Sequence, residues 1–191
     1  MIIGARFPET IPDLLAWRAS LAGARPWLFY EGDSYTLPDV VGEVDRIALA
    51  LAERGVVRGD RVAMVLGNTP DTLFAWLAAN QLGAIAMPLN PGYKAPELAG
   101  VLAGARPRLL VVDAHRALCE AALLSLAAEV RPMLVAPAEL ARARGRAPRT
   151  EVGVDDVAVL LPTSGTTGSA RATWSRATRT ASTRSSRARR R

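Results

Sequence analysis

Near the end of the chain six residues of one chemical kind stand in an unbroken row: Thr163-Ser164-Gly165-Thr166-Thr167-Gly168. Glycine admits positive φ and lets another molecule approach the main chain closely, so successive N–H groups can converge on an anion. The hydroxyls of Thr163, Ser164, Thr166 and Thr167 add further donors. Phosphate is the group such a stretch suits, and ATP is the ligand it points to. The plainer reading is a solvent-facing turn, which two or three such residues would indicate; six in a row are more specific. The residues before the run support the phosphate reading. Val157-Ala158-Val159-Leu160-Leu161-Pro162 is short, apolar and β-branched, the pattern of a buried strand that would deliver the loop.

Other residues able to do chemistry are few. The one histidine, His115, has no cysteine or second histidine near it and reads as a surface residue at a helix start, not a metal ligand. The one cysteine, Cys119, lies among Leu118, Ala122 and Leu123 with no base nearby, so it reads as a packed thiol. A single cysteine excludes an intramolecular disulfide and suits a reducing compartment, hence an expected cytoplasmic location. Lys94 is the only lysine. No catalytic residue and no metal-ligand set is nominated on this basis.

The elements that must position the loop come next. A chain of 191 residues with 50% hydrophobic content suits one domain with its own core. The net charge of +6 is misleading, because residues 169–191 hold eight arginines and no acid. Of 24 basic residues, 16 remain for the first 168, against 18 acids, so that body is mildly acidic. The last 23 residues contain nothing aliphatic larger than alanine and cannot offset their ordering entropy, so disorder is expected there. Two origins fit such a segment. One is a basic arm for nucleic acid or an acidic partner, held by salt-sensitive charge neutralisation. The other, which we prefer, is translation out of frame, since Arg, Ala, Ser and Thr are what GC-rich DNA encodes in a shifted frame. Leu73 to Leu89 is the longest apolar run, but Asn80, Gln81 and Gly83 interrupt it and it is too short to span a membrane. The first residues lack the pattern of a secretory signal.

Along the chain, Pro12 opens a short helix in which Trp17 is packing. Residues 26–30 and the chain from Tyr35 form a hairpin around turn residues Glu31 to Ser34. Thr36 caps a helix that stops at Gly55 and lays Val40, Val44, Ile47, Ala48 and Leu51 on a sheet. Residues 61–66 form a strand apolar on both faces, as inside a covered parallel sheet. Thr69 caps the next helix, with Pro70 and Asp71 in its first turn and Trp76 in its core-facing part. A strand near Ile85, a helix around Glu97 to Leu102, a strand over Arg108 to Asp113, a helix from His115 to Val130 and a strand at Met133 to Ala136 follow. Ala138 to Thr150 reads as a polar linker or a frayed helix with a solvated face. Alternation of this kind predicts an α/β fold: right-handed βαβ crossovers and a parallel or mixed sheet covered by helices. In such sheets ligands sit beyond the carboxyl ends of the strands, where Thr163 to Gly168 falls.

The hexapeptide resembles the phosphate-loop signature of the adenylate-forming superfamily, which includes acyl-CoA synthetases, peptide-synthetase adenylation domains and luciferases. Gly55 to Gly59-Asp60-Arg61-Val62 followed by Asn68, and Pro88-Leu89-Asn90-Pro91 with the helix after it, are similar to the family's early elements; Tyr35-Thr36-Leu37-Pro38-Asp39-Val40 is a looser match. The likeness runs from about residue 8 to Gly168 and then stops in mid-motif. Where the family continues with x-Pro-Lys-Gly, this chain has Ser169-Ala170-Arg171-Ala172. The resemblance implies residues 1–168 as the amino-terminal portion of an AMP-binding synthetase domain and an incomplete adenylate-forming fold. It implies an acyl-CoA synthetase of the kind used in fatty acid metabolism, with ATP, Mg²⁺ and coenzyme A as cofactors and a small carboxylic acid as substrate. The implied nucleotide-binding residues are Thr163, Ser164, Gly165, Thr166, Thr167 and Gly168. The acyl pocket, the adenine and ribose motifs and the mobile lid of that family follow the loop, so an inactive chain with little ATP affinity is expected, and one whose uncovered apolar surface favours self-association. The competing expectation is a non-catalytic binding module with a basic tail.

Overall fold

A computed structural model describes residues 7–148 and 150–162 and the backbone of 163 and 171–175. Helix α1, Ile11–Ala22, starts where Thr10 Oγ1 accepts the Asp13 N–H at 3.3 Å. Trp17 meets Phe7 edge to face at 5.7 Å, so it packs as expected. Strands β1, Pro26–Tyr30, and β2, Asp33–Thr36, form a separate antiparallel hairpin. Its turn is tighter than the sequence suggests: Asp33 and Ser34 are already paired, and only Glu31 and Gly32 turn, both at positive φ. That is the twist a two-residue hairpin loop requires.

Helix α2, Leu37–Glu53, has a reciprocal cap: Asp39 N–H donates to Thr36 Oγ1 at 3.2 Å, and Thr36 N–H to Asp39 Oδ2 at 2.8 Å. The remaining elements are β3 (Arg61–Val65), α3 (Pro70–Gln81), β4 (Ile85–Pro88), α4 (Ala95–Ala105), β5 (Leu109–Val112), α5 (Arg116–Leu124), β6 (Met133–Val135), α6 (Pro137–Leu140), β7 (Val159–Thr163) and β8 (Arg171–Ser175). The sheet order is β6-β5-β3-β4-β7-β8, with the first five strands parallel and β8 antiparallel to β7.

The sheet is buried on both faces. Val62 and Met64 face a core built with α2 and α3, while Ala63 and Val65 face a second core built with α4 and α5. The stripe from Val40 to Leu51 lies in the first core, and Trp76 packs against it. Apolar residues at both parities of one strand leave no solvent face, which is why β3 and β5 read as continuous hydrophobic runs.

Four expectations change. Thr69 stands at the start of α3, but its hydroxyl makes no capping bond and is buried without a partner among the described residues. Instead Thr72 Oγ1 donates to Gly67 O at 2.6 Å. The helix expected to reach Val130 ends at Leu124, because the chain turns inward to bury Leu126 and Arg131 holds the Leu126 carbonyl at 2.9 Å. The segment from Ala138, expected as a linker or frayed helix with a solvated face, has a short helix, α6, at its start, but Leu140 is fully buried in the first core. Finally, Arg171–Ser175, within the segment expected to be disordered, forms β8. The backbone of this segment pairs along the edge of β7 over five residues.

Candidate functional site

In this sheet the crevice opens between β3 and β4. The chain leaves β3 into α3 on one face and leaves β4 into α4 on the other, so the two connections part above the strand ends. β7 lies beside β4 in parallel and reaches the same carboxyl edge at Thr163. Thr163 is paired with Arg171, so residues 164–170 connect two antiparallel strands whose ends are in register. Of the predicted phosphate-binding residues, the structure places the Thr163 backbone at this edge. Ser164, Gly165, Thr166, Thr167 and Gly168 lie outside the described residues.

β7 is held where it begins. Leu160, 1% exposed, enters the second core. Ala158 O accepts the Ala86 N–H at 3.0 Å and the Asn80 carboxamide at 2.7 Å. The approach to the strand is tied by Asp156, which accepts from Arg58 at 2.7 Å and from the Gly153 N–H at 2.8 Å. These contacts hold the Asp156 carboxyl below the usual range, the Arg58 hydrogen bond first and the Gly153 amide second.

Acidic groups also stand near the carboxyl edge. Asp71, in the first turn of α3, is shifted upward by burial and then by the charge of Asp113, which follows β5. Asp113 Oδ1 is buried without a partner among the described residues. No group of three or more His, Cys, Asp or Glu able to hold a metal ion occurs among the described residues. His115 precedes α5 without capping it. Cys119 is fully buried, and burial, with Asp113 and Glu120 nearby, pushes its thiol up to about 11, so it is an inert packed thiol at neutral pH.

Asn80 and the Arg58–Asp156 pair escaped the sequence reading. The one available signal was an amide inside the apolar run from Leu73 to Leu89. Its partner lies 78 residues away, beyond the reach of any local pattern.

Comparison with known proteins agrees with this geometry. The family profile described as AMP-binding enzyme matches residues 15–173. A feruloyl-CoA synthase from Amycolatopsis sp is 37% identical over 137 residues, covering 72% of this chain and 27% of the relative. The chain thus spans about a quarter of the length of that relative. Among solved structures, VinN with 3-methylaspartate superposes with a TM-score of 0.76 at 26% identity, over 88% of this chain and 48% of the other. A Mycobacterium tuberculosis fatty acyl CoA synthetase gives 0.78 at 23% identity, over 88% and 34%, and so shares the fold. No helix among the described residues is long and apolar enough to cross a membrane. With a profile that runs through β7 and into β8, and a sheet that brings Thr163 to the edge beside β4, the chain belongs to the AMP-binding enzyme family.

Proposed function

We propose that these residues are the amino-terminal, phosphate-loop-bearing part of an ATP-dependent, AMP-forming ligase that joins a small carboxylic acid to coenzyme A in the cytoplasm. The observation that supports this reading most directly is β7, seated next to β4 at the crevice and running into the sequence Thr163-Ser164-Gly165-Thr166-Thr167-Gly168. In the reaction a carboxylate oxygen bonds to the α-phosphorus of ATP and pyrophosphate leaves. The thiol sulfur of coenzyme A then bonds to the acyl carbon and AMP leaves. The contribution of this chain is positioning: N–H groups and hydroxyls of residues 163–168 orient the phosphates and receive the charge that builds on the departing pyrophosphate. Where the related motif has lysine this chain has Arg171, at the break in the motif. Mg²⁺, when bound, would neutralise phosphate charge, but the described residues gather no ligand set for it.

By themselves, then, the 191 residues do not complete the reaction, and residues 169–191 are an out-of-frame continuation without a role in it. ATP affinity is correspondingly low. Hydrogen bonds to a charged group contribute roughly 1.5–3 kcal/mol each, and ordering the loop offsets much of that, leaving a dissociation constant of about 1 mM, near −4 kcal/mol. The test is acid-dependent exchange of pyrophosphate into ATP, with aromatic and aliphatic acids, alongside calorimetric titration of ATP. No exchange and millimolar binding that is weakened by Gly165→Val are expected. Exchange with any acid would refute the inactive reading. Absence of ATP binding together with a salt-sensitive complex with nucleic acid would favour the binding-module alternative.

A further inference from the structure

The strand that leads into the loop pairs with β8 over five residues but is joined to the parallel part of the sheet sparingly. β7 meets β4 at one registered pair, Ala86 opposite Val159, whereas β3 pairs over four residues with β4 and over four with β5. Asn80, near the end of α3, compensates. It is 3% exposed and sits in a helix whose neighbouring Ala78, Ala79 and Leu82 are all buried. A carboxamide in such surroundings is costly unless it is hydrogen-bonded. Its Nδ2 donates to Ala158 O at 2.7 Å and to Ala84 O at 3.3 Å, and two carbonyl acceptors on one nitrogen decide which end of the amide is which. Ala158 O, which also accepts the Ala86 N–H, has both lone pairs engaged. Leucine would fill the same space without either bond.

The other end of the carboxamide is unmatched. Asn80 Oδ1 is buried with no partner among the described residues, and Asn80 lines a cavity of about 50 Å³ with Thr10, Gly153 and Val157.

We propose that Asn80 is a positioning residue for the nucleotide site. Its carboxamide locks the residue before β7 to the end of α3 and the start of β4 and so sets where β7 ends at Thr163. The inference rests on the assignment of residues 163–168 to ATP phosphates, and it extends that assignment to a side chain at the opposite edge of the sheet. Arg58 and Asp156 restrain the approach to β7, but through exposed groups, while Asn80 acts on the strand itself.

The test compares the full chain with Asn80→Leu, which keeps bulk and removes both donors. Amide hydrogen exchange of Ala86, whose N–H bonds to Ala158 O, should lose protection by about tenfold or more, as expected for two net hydrogen bonds, while amides of Met64 and Val111 in β3 and β5 keep theirs. The ATP dissociation constant should rise by about fivefold or more. Unchanged protection at Ala86 would overturn the proposal, as would an equal loss throughout β3 and β5, which would make Asn80 an ordinary core residue. Selective loss at Ala86 with unaltered ATP affinity would also overturn it. If the native chain does not bind ATP, the assignment of residues 163–168 fails, and the exchange comparison still decides whether Asn80 locks β7. Should Asn80→Leu not fold, Asn80→Ser, which removes the carboxamide without adding bulk, serves for the same measurements.

Discussion

Leu160→Ala tests whether β7 is anchored through the second core. Leu160 is 1% exposed among residues of α4, α5 and β5, whereas its neighbour Leu161, on the other side of the strand, is 44% exposed. The change removes three carbons, worth roughly 0.8 kcal/mol each on transfer, or about 2.4 kcal/mol. The cavity adds to that, and since β7 has one registered pair with β4, partial collapse keeps the added cost small. The total expected is about 3 kcal/mol. At roughly 2–4 °C per kcal/mol for a chain of this size, the melting temperature should fall by about 6–12 °C. Urea unfolding followed by tryptophan fluorescence and circular dichroism measures it, with Leu161→Ala as the comparison, expected to cost about 1 kcal/mol or less. If both variants cost the same, or if Leu160→Ala costs under about 1 kcal/mol, β7 is not held by its buried side chain and the placement of Thr163 loses its support.

Three further outcomes follow from the same contacts. The Asp156 carboxyl is depressed in the folded state, so its stabilising contribution is full above the unfolded value near 3.9 and is lost as pH falls through the lower folded value. The urea-midpoint gap between the native chain and Asp156→Asn should therefore be present at pH 6 and close below about pH 4; because the pair is partly exposed, the gap should stay under about 1 kcal/mol. A gap that persists at pH 2 would sink the ion-pair explanation. Cys119, with its thiol at about 11, should alkylate at least a hundredfold more slowly at pH 8 in the native chain than in urea, since ionisation alone differs by about that factor from an ordinary thiol. Equal rates would show that the thiol is exposed. Gly83→Ala should cost about 1–2 kcal/mol, because φ is +67° there and the added Cβ would sit 2.9 Å from Arg58 Cγ. A neutral result by urea unfolding would refute both the backbone-strain and the Arg58-contact arguments.

What the sequence determined was local and periodic. Helix α2 was legible because its cap, Thr36 with Asp39, and its buried stripe at intervals of three and four lie within one element. The parallel sheet was legible because β3 and β5 are apolar at both parities. The run Thr163 to Gly168 stood out by composition, and its assignment to ATP phosphates is our proposal. The tertiary structure decided the matters that depend on distant partners. Burial of Leu126 ends α5 early, burial of Leu140 turns an apparent linker into part of the core, and pairing with β7 makes a strand of Arg171–Ser175. Asn80 shows the reason most clearly. In the sequence it is an interruption in an apolar run, and its meaning comes from a carbonyl 78 residues later that the sheet order brings to 2.7 Å. Helical and strand periods report which face is buried. Which strand a buried amide finds there is settled by topology, since only the folded order β3-β4-β7 puts Ala158 above the end of α3.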